Sequence, residues 1–293
     1  MLEYSRRELL KLMGAGLLMA HNAAFAANLN HPFRIRTITA GVQLNSATDL
    51  KALEQAHEFL LQARDRYRSL GYEVQTLRIA TQPFTEYCPN WAEDKSLAAF
   101  EQLEQFAADT NLSLSIGPAQ LRTEQQPSFA AWAAELVRNT AQISFSLPVA
   151  APGTGVDSGL VHSAAEAVQR IAQVFDNGEG NFRFAATAFC PPGTPFFPAA
   201  YHNGAPAFSL GLESANLLRD VFSTATNIKD AQQRLQREMV QRFAPLQDAA
   251  VQMAAQHGRR YWGIDLSPAP GPDASIGEAI EQLTGTPFGG AST

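Results

Sequence analysis

Stretches with the two-residue period of a strand alternate along this chain with stretches at helical spacing, joined by short links, and this leaves few architectures open. Residues 34–42 are rich in β-branched side chains and read as a strand. Residues 49–70 follow with Leu50, Leu53, Ala56, Leu60, Leu61 and Ala63 at helical spacing, and Gly71 stands where a helix stop belongs. The same reasoning predicts strands over 73–80, 112–116, 142–147, 182–189, 207–212 and 261–266. It predicts helices over 96–108, 129–138, 162–175, 215–222, 230–257 and 275–283, the last begun by a cap at Asp273 or Ser275. An α/β fold with a mostly parallel sheet follows. A closed βα barrel and an open doubly wound sheet both fit.

The first 26 residues read differently. Ser5-Arg6-Arg7-Glu8-Leu9-Leu10-Lys11 precedes an apolar run over 12–20 and then Ala24-Phe25-Ala26. That order is basic region, apolar region, small-residue cleavage site, and the paired arginines resemble the twin-arginine export signal. Gly14 and Gly16 interrupt a run already short for a permanent span. The expectation is a periplasmic or otherwise exported protein, with the twin-arginine export machinery as a partner. Its mature part, residues 27–293, suits a single α/β barrel-like domain. Removing the signal takes three basic and two acidic residues from a chain of net charge −6, leaving −7. A mildly acidic chain without a basic run gives no support for nucleic-acid binding. No second apolar run reaches bilayer length, so no membrane association is expected after signal removal. Cys88 and Cys190 are the two cysteines. They could pair in an oxidising compartment, but are too few for a disulfide scaffold.

Parallel α/β sheets bind ligands beyond the carboxyl ends of their strands, so the loops there hold the candidates. Residues 190–204 are the richest such loop. Pro191, Pro192, Pro195 and Pro198 stiffen it, and it carries the thiol of Cys190, the phenol of Tyr201 and the imidazole of His202, all capable of proton transfer. The alternative is a rigid structural loop with a buried cysteine and a satisfied histidine. Residues 261–275 place Asp265 near a strand end, as general base, metal ligand or substrate anchor, with Ser267 and Ser275 beside it; turn formation and helix capping are the plainer roles. Residues 151–159 are glycine-rich, but match neither GxGxxG nor a P-loop, and Asp157 or Ser158 suits a helix cap. Glu213 follows the 207–212 strand. No metal motif is present, although His202, Glu213, Asp157 and Asp265 are of ligating type, and no GxSxG elbow supports a serine triad.

At these loops the chain resembles the domain of unknown function 711 family, whose members are built like the pyruvate formate-lyase barrel. The matching stretches are Ile35-Arg36-Thr37-Ile38-Thr39-Ala40-Gly41, the segment from Pro195 to Gly204, and Gly263-Ile264-Asp265-Leu266-Ser267-Pro268-Ala269-Pro270 with Ser275-Ile276-Gly277-Glu278. The resemblance implies a ten-stranded βα barrel related to the glycyl-radical enzymes, in a family without a settled activity. Family members usually continue past Gly285-Thr286-Pro287-Phe288-Gly289, so this chain is expected to lack a terminal portion of the barrel. It carries no glycyl-radical glycine motif, and thiyl-radical chemistry at Cys190 does not follow from a fold likeness.

The expected function is an enzyme acting on a small polar or anionic metabolite at the barrel mouth by acid/base or thiol chemistry. Cys190, His202 and Tyr201 would transfer protons or attack, and Asp265 would serve as base or anchor. Arg36, Asp157, Glu213, Ser267 and Ser275 are the expected substrate contacts. The alternative is a non-catalytic protein of the cell envelope that binds a small molecule or a metal in the same cleft. The sequence names no cofactor and is compatible with an oligomer.

Overall fold

The computed structural model describes residues 33–268 and 275–290. Residues 1–26, read above as an export signal, and Asp273 lie outside the described residues. The chain runs β1 (Arg34–Gly41), α1 (Leu50–Ser69), β2 (Val74–Ala80), a single-turn α2 (Phe84–Tyr87), α3 (Asp94–Asp109) and β3 (Ser113–Pro118). It continues through α4 (Gln126–Asn139), β4 (Ile143–Ala151), the two-residue β5 (Gly155–Val156), α5 (Ser158–Ile171) and β6 (Phe184–Ala188). It then forms β7 (Ala207–Glu213), α6 (Ala215–Ser223), α7 (Ile228–His257), β8 (Arg260–Asp265) and α8 (Ile276–Thr284). The fold is α/β with a mostly parallel, mixed sheet. Its order is β5-β4-β3-β2-β1-β7-β8, with β6 also paired to β4.

Local sequence accounts for the elements. In α1, Leu53, Ala56, Phe59, Leu60, Ala63 and Tyr67 recur every three or four residues and all are buried, while Arg66 and Arg68 complement the carboxyl-terminal dipole. Gly71 ends it at a positive φ of 92°. The links β1-α1-β2, β2-α3-β3, β3-α4-β4 and β4-α5-β6 each return the chain to the rim where it started, so these five strands lie parallel.

The exception is β7. It pairs antiparallel to β1, from Arg34 opposite Glu213 to Gly41 opposite Ala207. Between Ala188 and Ala207 no helix carries the chain back across the sheet; only the proline loop intervenes, so the chain re-enters from the rim it left. The helices α6 and α7 then restore a crossover, and β8 lies parallel to β7. This corrects the expectation that Asp265 joins Cys190, Tyr201 and His202 at one mouth of the fold. The carboxyl ends of β7 and β8 point the other way from those of β1, β2, β3, β4 and β6.

The core lies between the sheet and its helices. Ile35, Ile38 and Ala40 of β1, Leu77 and Ile79 of β2, Leu114 and Ile116 of β3, Phe145 and Leu147 of β4, and Phe208, Leu210 and Leu212 of β7 are all buried in it. An aromatic knot closes one side. Trp132 of α4 is stacked on Phe84 at 4.8 Å between ring centres and meets Trp91, Phe100, Phe129 and Phe145 at 5.0, 5.7, 5.9 and 5.5 Å.

Candidate functional site: a proline loop on the polar face of the sheet

Alternation along a strand assigns every second residue to the face away from the core. On that face lie Thr37 and Thr39 of β1, Arg78 of β2, Ser115 of β3, Ser144 and Ser146 of β4, and Ser209 and Glu213 of β7, all buried. At the start of β1 the register against β7 slips between Ile35 and Thr37. The bulge keeps both Ile35 and Ile38 in the core, which leaves Thr37 buried on the polar side and Arg36, the bulged residue, exposed.

The proline loop, residues 189–206, covers part of this face. It braces itself first. The Gly193 amide donates to the Tyr201 carbonyl (2.9 Å), the Tyr201 amide to the Thr194 carbonyl (3.3 Å), and the Tyr201 hydroxyl to the Cys190 carbonyl (3.1 Å). It then docks on β2, on the residue that follows β2, and on β3. The Ser115 hydroxyl donates to the Ala200 carbonyl, the His202 amide to the Thr81 carbonyl (2.9 Å), and Arg78 Nη1 to the Pro195 carbonyl (2.7 Å). Two glycines make the fit possible. A methyl group at position 41 would stand 2.3 Å from His202 Nδ1, and one at Gly193 would stand 1.6 Å from the Trp262 ring.

His202 is buried, with its ring 5.9 Å from that of Trp262. Its Nε2 lies 3.1 Å from the Gly204 carbonyl oxygen, which can only accept, so Nε2 carries the proton. Burial, opposed by bonds to the backbone at Gly204 and Ala205, holds its pKa below the usual histidine value, which keeps the ring neutral at pH 7. Tyr201 is half-buried, and burial followed by proximity to Cys190 pushes its phenol up. Cys190 is half-buried at the start of the loop. Cys190, Tyr201 and His202 thus belong to one loop on one rim. A small hollow between loop and sheet is lined by Thr39, Gly41, Ser209, Thr194, Tyr201, His202 and Trp262.

Arg78 is the residue that sequence reasoning passed over. Its side chain sits in the middle of the sheet, and the residue is only 8 % exposed. One guanidinium nitrogen is taken by Pro195, and the Phe197 ring lies 5.5 Å from the group. Nε is buried without a partner, and among the described residues no carboxylate pairs with the side chain. Burial, and after it the neighbouring charge of Arg36, pulls the pKa down to about 10. Thr39, in register with Arg78 on the adjacent strand, has a buried hydroxyl without a partner, as do Thr37 and Ser144 on the same face.

The remaining expected site residues scatter. Asp265 pairs with Gly211, which lies opposite Thr37, four strand residues or roughly 13 Å from the Gly41 row on which His202 rests. Its carboxylate accepts the Ser267 amide at 2.9 Å, forming a turn, and Ser267 is exposed. Glu213 lies at the same far end, bonded to Arg34 and Gln75 at 3.4 Å each. Asp157 caps α5 through the Leu160 amide (3.0 Å), and Ser275 caps α8 through the Glu278 amide (3.3 Å). Cys88 and Cys190 follow parallel strands on one rim, yet both thiols are free; Cys88 is buried, and burial raises its pKa. Among the described residues no cluster of three or more His, Cys, Asp and Glu could hold a metal, and no helix is long and apolar enough to cross a membrane. A larger groove of about 590 Å³ lies between α6 and α7, but two of its arginines are already paired, Arg234 with Asp230 and Arg242 with Glu238.

Fold and site together define an α/β protein whose mixed sheet carries helices on one side and a polar, loop-covered face on the other. The family model described as Uncharacterised ACR (DUF711) matches residues 29–293, and the chain belongs to that family. It is similar to a UPF0210 protein of Pyrobaculum islandicum, 28% identical over 274 residues that cover 83% of this chain and 56% of that protein. The chain thus spans little more than half the length of that curated relative.

Proposed function

We propose that this chain holds a small polar or anionic metabolite between the proline loop and the polar face of its sheet, and acts on it by proton transfer or thiol chemistry. The observation that carries this is the set of buried, unpartnered polar atoms on that face: Thr37 Oγ1, Thr39 Oγ1, Arg78 Nε and Ser144 Oγ. Each buried polar atom without a partner costs about 1–3 kcal/mol, and a polar ligand would supply the missing bonds. Cys190, Tyr201 and His202, on the covering loop, are the groups available for chemistry. The second reading is a binder without turnover; it is favoured by His202, whose Nδ1 packs against Gly41 rather than facing open space.

The helices on a single face of the sheet support the likeness to a pyruvate formate-lyase-type barrel wall, with the polar face as its interior. The basic, apolar and small-residue order of the first 26 residues supports export through the twin-arginine route.

The test is to incubate the purified full chain with a pool of polar metabolites and follow ligand retention and product formation by mass spectrometry. The enzyme reading expects one compound to be both retained and consumed, with consumption lost in Cys190→Ala or His202→Gln. Retention without consumption, unchanged by Cys190→Ala, establishes the binder. Absence of any retained compound ends both.

A further inference from the structure

We propose that Arg78, with Arg36 adding charge from further along the strands, receives an oxyanion of the ligand, a carboxylate or a phosphate, so that the ligand class is anionic rather than merely polar. This rests on the reading that the polar face is a ligand site, and deepens it.

Three features of the guanidinium carry the argument. It is buried in the middle of a sheet and has no carboxylate partner among the described residues. Buried cations are ordinarily paired, because an unpaired one forfeits its hydration for nothing. Its donors are also divided. Nη1 is committed to the Pro195 carbonyl at 2.7 Å, whereas Nε is buried and bonded to nothing, and no acceptor among the described residues reaches Nη2. The edge formed by Nε and Nη2 is the one that grips two oxygens of a planar carboxylate or of a phosphate side by side. Finally, its neighbours suit an anion. The orphaned Thr39 hydroxyl, in register with Arg78 on the adjacent strand, is a further donor, and the exposed Arg36, three positions back along the strands, adds a second positive charge at longer range. Of the acidic side chains in the sheet register, Asp265 stands in the Thr37 row, three strands across from Arg78, and Glu213 stands opposite Arg34 at the end of β1. A neutral ligand would quiet the hydroxyls but leave the buried charge unanswered.

The test uses the full chain and defined probes: sodium phosphate, acetate and succinate, each against sodium chloride at matched ionic strength. Thermal melting and isothermal titration calorimetry are the readouts. Phosphate or a carboxylate, but not chloride, is expected to raise Tm in the wild-type protein. Which of the two acts identifies the oxyanion. Affinity for it should fall at least about tenfold in Arg78→Gln and in Arg78→Lys, since lysine keeps the charge but loses the fork, and less in Arg36→Gln. Arg78→Met, of similar volume, serves as the second variant: it should melt no lower than wild type without anion and gain nothing from its addition. The proposal is overturned if no oxyanion outdoes chloride in wild type. It is equally overturned if a cooperatively melting Arg78 variant binds as wild type does. Should every Arg78 variant fail to fold, the wild-type titration and Arg36→Gln decide: an anion that binds Arg36→Gln and wild type alike, or neither, sinks it. If an uncharged metabolite is retained while every oxyanion fails, the ligand-site reading stands and this one falls; if nothing binds, both fall.

Discussion

At the scale of single residues, the loop is held by places where a side chain is missing. Gly193 has a φ of 87°, and its would-be Cβ falls inside the Trp262 ring. Gly193→Ala therefore meets both backbone strain and overpacking, and should cost about 2 kcal/mol or more in urea unfolding. His202 gives a pH signature. Its folded pKa lies below the ordinary value of 6.5, so the unfolded chain takes up the proton more readily. The stability it contributes is complete above about pH 6.5 and is lost as the pH falls through its lower folded value. His57 is shifted in the same direction, chiefly by burial, so the comparison belongs in a His57→Gln background. There, the drop in Tm between about pH 7 and pH 5 should be smaller in His202→Gln than in the parent, as followed by circular dichroism. Sequence made Cys190, Tyr201 and His202 legible because they crowd one stiff segment. It hid Arg78, because Thr76-Leu77-Arg78-Ile79-Ala80 reads as one more half-exposed strand. Alternation distinguishes two faces but does not say whether the second meets water or a covering loop.

At the scale of elements, period and punctuation were enough to find the strands and helices nearly to their ends. The 34–42 strand is observed as 34–41, and the 230–257 helix as 228–257. The two-residue β5 and the single-turn α2 were missed, being too short to show a period. Direction was the larger error, since β7 reads the same in either sense. The helix-free connection before it was the available clue: without a crossover, a strand of the same sheet re-enters from the rim the chain has just left and runs opposite to the strand before it. A consequence follows for Asp265. Lying one rim away from His202, it should be dispensable for binding, so Asp265→Asn is expected to keep the retention of any ligand within about twofold of wild type. The aromatic knot makes a separate claim on stability. Trp132 touches five rings, Phe129 of its own helix and four from the elements around α4, and Trp132→Ala should cost about 3–5 kcal/mol by chemical denaturation.

At the scale of the whole molecule, family membership fixes kinship but no activity, and the leading segment makes the claim about location. If Arg6 and Arg7 direct export, the paired change Arg6→Lys with Arg7→Lys should move the full-length chain from the periplasmic to the cytoplasmic fraction, by immunoblot of fractionated cells. Unaltered partition of the double variant would refute the export signal while leaving the polar face untouched. Inside the molecule, the bond from Arg78 to the Pro195 carbonyl ties cover and floor together through a side chain that still has a free edge. Such sharing is reciprocal: a solute drawn to that edge tightens the loop's seat, and a loop pinned by other means raises the solute's affinity by the same factor. If the proposed oxyanion sits at that edge, the segment senses its occupancy, and how slowly a protease clips it becomes a gauge of what lies underneath.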